Sequence, residues 1–249
     1  MFFIISGEGN SDIGKSNEHP GPLVTCLEKL SEFVSDDTFC YDIISESELT
    51  ARTKEITRDR KMMLLPGSKY KSRNLSHIRR LAHTLGYLAQ KQKDAGALLF
   101  RDCDFTHSEI SNPHEYYQDM VKSIETGFAM ADGFKFGVAM VPKMRSETWL
   151  LAHYQKTPYM NSDRFEELPA NDKAEHSAKA ILAQFLNCSV GELYEHITPE
   201  DIDWDKIDCS SFLFFKKRFL YVLNSLSHQK AECTEADTLL SSGLGRAKP

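Results

Sequence analysis

The stretch FFIISGEGNSD, residues 2–12, is the part of the sequence that decides the fold. Phe2–Ser6 is a short apolar run rich in aromatic and β-branched residues, which predicts a buried first strand. Gly7 and Gly9 flank Glu8, so the chain can turn tightly after the strand and bring a carboxylate close to a ligand. The sequence therefore predicts a strand whose carboxyl end carries an acidic, glycine-rich turn.

Strand-like and helix-like segments alternate through the first two thirds of the chain, which is the usual sign of βαβ units around a mostly parallel sheet. Short apolar runs predict strands, and apolar residues at helical spacing predict helices. The predicted strands are Phe2–Ser6, Phe39–Ser45, Ala97–Phe100 and Phe136–Val141. The predicted helices among them are Pro22–Ser35, Ser76–Asp94 and Pro113–Ala131. We expect Ser76 to cap its helix and Gly96 to end it.

The last third of the sequence favours helix alone. The predicted helices are Ser146–Gln155, Ala174–Leu186 and Ser210–Leu226. Phenylalanines recur along one side of the last helix, which indicates core packing. We predict an α/β fold with a mostly parallel four-stranded, Rossmann-like sheet and helices on both faces. Its organisation is an α/β domain at residues 1–156, a helical extension packed on it at 157–228, and a flexible polar tail at 229–249.

Composition is ordinary for a soluble globular protein, with 41% hydrophobic and 27% charged residues. The longest apolar stretches are too short to cross a bilayer, and the first residues lack the basic region of a signal peptide. We therefore expect a cytoplasmic protein without a membrane partner. The six cysteines form no CxxC pair and no Cys/His cluster at zinc-ligand spacing, which argues against disulfides and structural zinc.

Charge is distributed unevenly along the chain. The net charge of −6 argues mildly against a protein that coats nucleic acid, because such binding depends on neutralising phosphates. Residues 51–80, which we call the basic segment, nevertheless carry many Lys and Arg residues and only two acidic ones. It is interpreted either as a solvated loop or as a surface that holds a polyanion. The candidate nucleic-acid contacts are Lys69, Lys71, Arg73, Arg79, Arg80 and, after the fourth strand, Arg145.

Polar clusters follow three of the predicted strands, at the sheet edge where open α/β sheets place their ligands. Carboxylates gathered at one edge raise one another's pKa values unless a cation neutralises them. Mg²⁺ and Mn²⁺ prefer oxygen ligands, and a pair of such ions can clamp a phosphoryl displacement. The candidate metal ligands are Glu8, Asp12, Asp102, Asp104 and Glu147, with Asp12 and Glu147 expected at the periphery.

Several of these residues also have simpler interpretations. Asp12 is equally well explained as a helix-start residue, and Glu147 as a first-turn residue that favours the helix dipole. Ser146 is expected to cap the helix that follows it. Lys143, together with Arg145, is a candidate for stabilising charge that develops on phosphoryl oxygens, and otherwise both are surface charges.

Together, Glu8-Gly9-x-x-Asp12 and Asp102-x-Asp104 resemble the two signature motifs of the TOPRIM domain, found in topoisomerases, primases and overcoming-lysogenization-defect nucleases. The chain is most similar to standalone TOPRIM-related proteins that are frequent near bacterial and phage-defence genes. Three passages carry that similarity: FFIISGEGNSDIG, ALLFRDCDF and VAMVPKMRSETWLLA.

The resemblance implies a TOPRIM-like fold and a nuclease that depends on Mg²⁺ or Mn²⁺ and acts on DNA or RNA. It implies that Glu8 is a metal ligand or general acid/base, that Asp102 and Asp104 bind metal, and that Asp12 can ligate a second ion. Lys143 and Glu147 have no equally firm counterpart in the motifs. Glu8, Asp102, Asp104 and Lys143 are accordingly the predicted catalytic residues.

Two other functions fit the sequence. Asp102-Cys-Asp104-Phe-Thr106 matches the pattern of haloacid-dehalogenase-like phosphatases, in which the first Asp is the nucleophile. That pattern normally follows the first strand of its domain, and a phosphatase does not require Glu8 beside Asp102. The second alternative is a sensor or regulatory subunit without catalysis that binds a protein partner, since a fold alone never establishes an activity.

Overall fold

The structure is a computed structural model that describes residues 1–9, 11–34, 38–59, 73–103, 112–169, 171 and 174–243. The strands are β1 (Phe2–Gly7), β2 (Gly14–Ser16), β3 (His19–Pro20), β4 (Cys40–Ser45), β5 (Ala95–Phe100) and β6 (Gly137–Met140). The helices are α1 (Pro22–Ser31), α2 (Glu46–Asp59), α3 (Arg73–Gln90), α4 (Pro113–Met130), α5 (Glu147–Tyr154), α6 (Ala178–Leu186) and α7 (Ser210–Gly243). Short 3-10 turns lie at Ser162–Glu167, Leu193–Glu195, Pro199–Asp201 and Trp204–Lys206.

The main sheet has four parallel strands in the order β4-β1-β5-β6, which confirms the predicted α/β class. β1 and β5 are neighbours, and their register pairs Gly7 with Phe100. Both strands therefore end at the same level, and the residues that follow them emerge side by side at the carboxyl edge. The short β2-β3 hairpin, which was not predicted, lies between β1 and α1.

Alternating residues of the strands pack into two separate cores, one on each face of the sheet. On one face, Ile4, Ala97 and Leu99 pack with residues of α3 and α4. On the other face, Phe3 and Phe100 pack with α1, α5 and the residues that follow α5. Period-two alternation of buried side chains is what a sheet covered on both faces requires.

The helical extension completes the second of these cores. Phe215 stacks on Trp149 at a ring-centroid distance of 5.6 Å, and Phe219 lies 5.5 Å from Phe3 in an edge arrangement. All four rings are buried, and full burial of each contributes about 1.5–3 kcal/mol. The predicted boundary near residue 156 therefore separates two parts of the chain that share one core.

Two predicted helix ends differ from the structure. α3 begins at Arg73, so Ser76 lies inside the helix and does not cap it. Gly96 belongs to β5 and does not end the helix, because the chain has already entered the strand at Ala95. A Cβ atom at Gly96 would lie 2.5 Å from the Phe3 ring, so glycine is required here by the close approach of β1.

Two further elements were not predicted at their true extent. Residues 51–59 of the basic segment belong to α2, which begins at Glu46. α7 continues to Gly243, so residues 229–243 are helical where a flexible tail was expected. This stretch contains good helix formers such as alanine, glutamate and leucine, and its polarity concealed that propensity. In the part of the chain that the structure describes, no helix combines the length and apolarity needed to span a membrane.

Candidate carboxylate site at the sheet edge

Glu8 and Asp102 lie side by side where β1 and β5 end. The backbone N–H of Asp102 donates a hydrogen bond to Oε1 of Glu8 at 2.8 Å. The two strands are hydrogen-bonded neighbours, as the sequence predicted for the acidic turn and the Asp-x-Asp passage. Asp104, the second carboxylate of that passage, lies outside the described residues.

Arg101 neutralises Glu8. Its guanidinium donates from Nη1 to Oε2 of Glu8 at 2.8 Å and from Nη2 to Oε1 of Glu46 at 2.7 Å. The Arg101 side chain is only 6% exposed, so both ion pairs are shielded on the arginine side. Glu46 stands in the first turn of α2, directly after β4, which explains how a third strand end contributes to this pairing. Glu8 is therefore committed to a structural ion pair, a feature that the sequence motif did not reveal.

Ser146 connects Asp12 with Asp102. Its backbone N–H donates to Oδ1 of Asp102 at 3.0 Å, and its hydroxyl donates a short hydrogen bond to Oδ1 of Asp12. The prediction that Ser146 caps α5 with its side chain is wrong, because that hydroxyl is engaged by Asp12 and the residue already has helical backbone angles. Asp12 is buried, so it is also not a solvent-exposed helix-start residue.

Glu147 is buried beside Asp12 and is not peripheral as expected. The hydroxyl of Tyr194 lies 2.9 Å from Oδ1 of Asp12 and 3.0 Å from Oε1 of Glu147. The ammonium of Lys179 lies 3.5 Å from the same Oε1. Glu147 is 1% exposed, and its Oε2 is buried without a hydrogen-bond partner in the described part of the chain. One carboxylate oxygen of the site is thus left unsatisfied by the protein.

Tyr194 and Lys179 were missed in the sequence because nothing in their neighbourhood marks them. Tyr194 stands in the short turn Leu193–Glu195, and Lys179 near the start of α6. Both belong to the predicted extension, more than 150 positions from Asp12. Tyr194 and Lys179 reach the carboxylates because the extension packs on the sheet. The spacing of apolar residues in the sequence does not predict where that packing places a given side chain.

The carboxylates of the site are incompletely neutralised, and their pKa values show it. Burial raises the pKa of Asp12 to about 6, and the charge of Glu147 adds to the rise, while the hydrogen bonds from Ser146 and Tyr194 oppose it. Burial also raises the pKa of Asp102 well above its ordinary value, reinforced by Asp12, Glu147 and Glu8. These groups favour holding a proton or a cation over standing as separate anions.

Two basic residues follow β6, and the structure gives them different surroundings. Arg145 is half-buried and lies close enough to Asp102 for its charge to lower the pKa of that carboxyl. Lys143 lies 3.9 Å from Oε2 of the buried Glu166, so its ammonium is directed at a carboxylate of the extension. Arg145 is therefore better placed than Lys143 to meet an anion near Asp102.

Of the candidate nucleic-acid contacts in the basic segment, the structure describes the side chains of Arg79 and Arg80. Arg79 is 5% exposed and lies where α3 packs against Gly127 of α4, which leaves little of its side chain accessible to a nucleic acid. Arg80 is half-buried, and its charge acts with that of Arg101 to lower the pKa of His77, after the larger effect of burial. The side chains of Lys69, Lys71 and Arg73 lie outside the described residues.

The carboxylate oxygens at this edge of the sheet are the kind of ligand that a hard cation prefers. Those that the structure describes do not, however, form a complete set of ligands by themselves. Among the described residues, no three Asp, Glu, His or Cys side chains are arranged to ligate one ion. Mg²⁺, however, is commonly held by one or two carboxylates and completes its shell with water. Asp12, Asp102 and Glu147 supply only oxygen donors, and the unsatisfied Oε2 of Glu147 marks a position where a cation is favourable. The residues of the site thus supply the donor type that Mg²⁺ and Mn²⁺ prefer, but among the described residues they do not form a set of three ligands.

Comparisons of this chain with family models, with curated proteins and with solved structures gave no significant match.

Proposed function

We propose that this protein hydrolyses nucleic-acid phosphodiester bonds with a Mg²⁺ or Mn²⁺ ion held by Asp102, by one neighbouring carboxylate, Asp12 or Glu147, and by water. The observation that carries the proposal is the concentration of negative charge that the protein leaves unbalanced at the carboxyl edge of its sheet. Asp12 has a pKa of about 6, Asp102 has a raised pKa, and Glu147 has a buried oxygen without a donor. A purely structural cluster would be expected to supply its own donors.

The position of Arg101 separates two roles within the cluster. Its guanidinium pairs directly with both Glu8 and Glu46, each through a separate nitrogen, so both carboxylates already have a cationic partner in contact. In the part of the chain that the structure describes, the cations that act on Asp12, Asp102 and Glu147 are Lys179 and, near Asp102, Arg145. We therefore assign the ligand role to Asp102 and one of its two carboxylate neighbours, with water completing the shell of the ion. We assign to Glu8 the role of fixing Arg101 and the backbone of Asp102.

A bound divalent ion would supply the Lewis acid that lowers the pKa of an attacking water and balances charge on a phosphoryl oxygen. The chain's own residues would perform the remaining tasks. Arg145, beside Asp102, would orient the phosphate, and Ser146 would hold Asp12 and Asp102 at a fixed separation through its hydroxyl and backbone N–H. We favour a phosphodiester as the substrate because carboxylates that would hold an ion and the positively charged Arg145 lie together at one edge of the sheet. The ion and the guanidinium would both stabilise negative charge on the phosphoryl oxygens.

The contact between Glu8 and Asp102 also bears on the phosphatase alternative. A haloacid-dehalogenase-like enzyme uses the first Asp of its motif as a nucleophile and needs no glutamate beside it. Here the backbone of Asp102 is hydrogen-bonded to Glu8, and one oxygen of Asp102 accepts from the N–H of Ser146. These contacts favour a ligand that is held in place over a nucleophile that must reach a substrate.

The test combines ion binding with cleavage. Purified protein would be titrated with Mn²⁺ by calorimetry and then incubated with single- and double-stranded DNA and RNA, with Mn²⁺ or with EDTA. We expect Mn²⁺ binding and cleavage of at least one nucleic acid, both lost in Asp102→Asn, with cleavage reduced at least ~100-fold. Asp42→Asn, which changes an exposed aspartate of β4, is the matched control and should behave as wild type.

Two results would overturn the proposal. Absence of Mn²⁺ binding would remove the metal site, and the carboxylate cluster would then be a proton-sharing structural feature. Mn²⁺ binding without cleavage of any nucleic acid would retain the site but reject the hydrolase, and would favour the regulatory subunit that binds a protein partner.

A further inference from the structure

We infer that Tyr194, contributed by the helical extension, is a positioning residue that holds Asp12 and Glu147 in the arrangement that receives the cation. The inference rests on the proposed function, because it assigns a role at the same site. It extends that function by making the extension a part of the site and not only a cover for the sheet.

The geometry places a single hydroxyl between the two carboxylates. The Tyr194 hydroxyl lies 2.9 Å from Oδ1 of Asp12 and 3.0 Å from Oε1 of Glu147, across chain separations of 182 and 47 positions. Asp12 follows β1 and Glu147 begins α5, so these carboxylates belong to two different elements of the α/β part. Tyr194 belongs to a third element, the turn Leu193–Glu195. Its hydroxyl contacts both carboxylates and therefore helps to set the distance between Asp12 and Glu147.

The turn that carries Tyr194 is fixed by its own packing. Leu193 is completely buried and belongs to the core that covers the second face of the sheet. The adjacent helix α6 supplies Lys179, which lies 3.5 Å from Oε1 of Glu147. The hydroxyl thus reaches the carboxylates from a rigid support, and a rigid support is what precise placement of ligands requires.

The role of the hydroxyl is to offset the repulsion between two buried carboxylates that have come together. The Tyr194 hydroxyl is directed at both carboxylates and donates its proton in hydrogen bonds to them. Replacing Tyr194 with phenylalanine would remove this donor but leave the ring and the net charge unchanged. The carboxylates would then separate, and a cation would bind to a less organised pair. Groups that orient metal ligands typically contribute about 10–100-fold to metal affinity.

The extension offers a matched control in a second tyrosine. The hydroxyl of Tyr154 accepts a hydrogen bond from the backbone N–H of Thr198 at 2.8 Å, and Tyr154 is half-buried like Tyr194. Tyr154→Phe deletes the same atom from the same part of the fold without touching a carboxylate of the site. A general effect of losing a tyrosine hydroxyl would appear equally in both variants.

The experiment is calorimetric titration of full-length wild type, Tyr194→Phe and Tyr154→Phe with MnCl₂, with folding checked by circular dichroism. We expect Tyr194→Phe to bind Mn²⁺ at least ~10-fold more weakly than wild type, and Tyr154→Phe to bind as wild type does. Equal affinity in wild type and Tyr194→Phe would overturn the inference and leave the proposed function intact. Equal loss in both variants would also overturn it. Absence of binding in wild type would overturn the proposed function itself.

A second measurement covers the case in which Tyr194→Phe does not fold. Mg²⁺ has no absorption of its own, so it can be added to wild type while the near-ultraviolet spectrum of the tyrosines is recorded. A tyrosine whose hydroxyl partners become metal ligands changes its surroundings, and we expect a tyrosine difference spectrum that saturates with the ion. A flat difference spectrum at saturating Mg²⁺ would overturn the inference.

Discussion

The guanidinium of Arg101 lies 2.8 Å from Oε2 of Glu8, and this ion pair joins residues that leave two neighbouring strands at the same level of the sheet. The arginine is almost completely buried, whereas the Glu8 side chain is 34% exposed. Glu8 therefore has a structural task that is independent of any bound ion.

Glu8→Ala should destabilise the fold as well as alter the site. It removes acceptors from the buried guanidinium of Arg101 and from the N–H of Asp102, and an unpaired buried donor costs about 1–3 kcal/mol. Urea denaturation of the metal-free protein would measure this loss. Glu48→Ala breaks the exposed pair with Arg52 and should cost less than about 0.5 kcal/mol. Equal stability of Glu8→Ala and wild type would contradict the structural task of Glu8.

The stability of the metal-free protein should fall as pH rises from about 4 to about 6. The folded pKa of Asp12 is about 6, above its ordinary value of 3.8, so the folded state holds this proton more tightly and loses that advantage as the proton leaves. The difference corresponds to about 3 kcal/mol. Asp12→Asn should have a flatter pH dependence in denaturation experiments, whereas Asp42→Asn should keep the wild-type slope. Parallel curves for wild type and Asp12→Asn would contradict the prediction.

Mg²⁺ should stabilise the protein more at pH 7.5 than at pH 5. Protons compete with the ion for the carboxylates, and Asp12 is mostly protonated at the lower pH. At an ion concentration 100 times the dissociation constant, the stabilisation is about 2.7 kcal/mol. Thermal melts with Mg²⁺ and with EDTA at both pH values would measure it, and Asp102→Asn should abolish it. A shift in melting temperature that is the same at both pH values would argue against ligation by these groups.

Ser211→Ala should loosen the attachment of α7 to the loop after β6. The Ser211 hydroxyl accepts from the indole N–H of Trp149 at 2.8 Å and from the backbone N–H of Lys143 at 3.1 Å. Losing this acceptor leaves the indole N–H of a fully buried tryptophan without its partner, at a cost of about 1–3 kcal/mol in urea denaturation. Ser225→Ala, whose hydroxyl only bonds back to Tyr221 within the helix, should cost little.

Gly96→Ala should destabilise the sheet through a clash between neighbouring strands. The added Cβ would lie 2.5 Å from the ring of Phe3, and overpacking of this kind typically costs about 1–3 kcal/mol. Gly191→Ala is the control, because its added Cβ would have no atom closer than 3.9 Å. Thermal denaturation would measure the melting temperatures of both variants. Equal melting temperatures of Gly96→Ala and Gly191→Ala would contradict the register of β1 against β5.

Much of the sheet could be predicted from the sequence because its buried strands are short apolar segments that end in polar turns. Phe2–Gly7 begins with the apolar run FFII, Ala95–Phe100 is apolar throughout, and the polar turns that follow both strands mark their carboxyl ends. The adjacency of Glu8 and Asp102 follows from that pattern together with the rules of parallel sheets. Helix boundaries were less accurate, because a helix start depends on local caps and on packing that the apolar period does not record.

The composition of the site could be predicted only in part. The carboxylates were found because they follow strands, whereas Tyr194 and Lys179 reach the site from elements with no fixed relation to the sheet. The pairing of Arg101 with Glu8 and Glu46 was likewise hidden, because it depends on the rotamer of one arginine at the meeting point of three strand ends. Ser146 was assigned a local role, capping, but its hydroxyl makes a contact across 134 positions.

The edge contact between Phe3 and Phe219 has a consequence for the order in which the protein can be made. Phe3 and Phe219 are 216 positions apart, so β1 is synthesised long before this partner. The face of β1 that carries Phe3 is therefore covered only in part, by α1 and Phe39, until α7 has been synthesised. During that interval the nascent chain can close the opposite face, where α3 and α4 supply the partners of Ile4. Vectorial synthesis thus gives this protein a half-covered intermediate, and its apolar surface is the kind that chaperones bind.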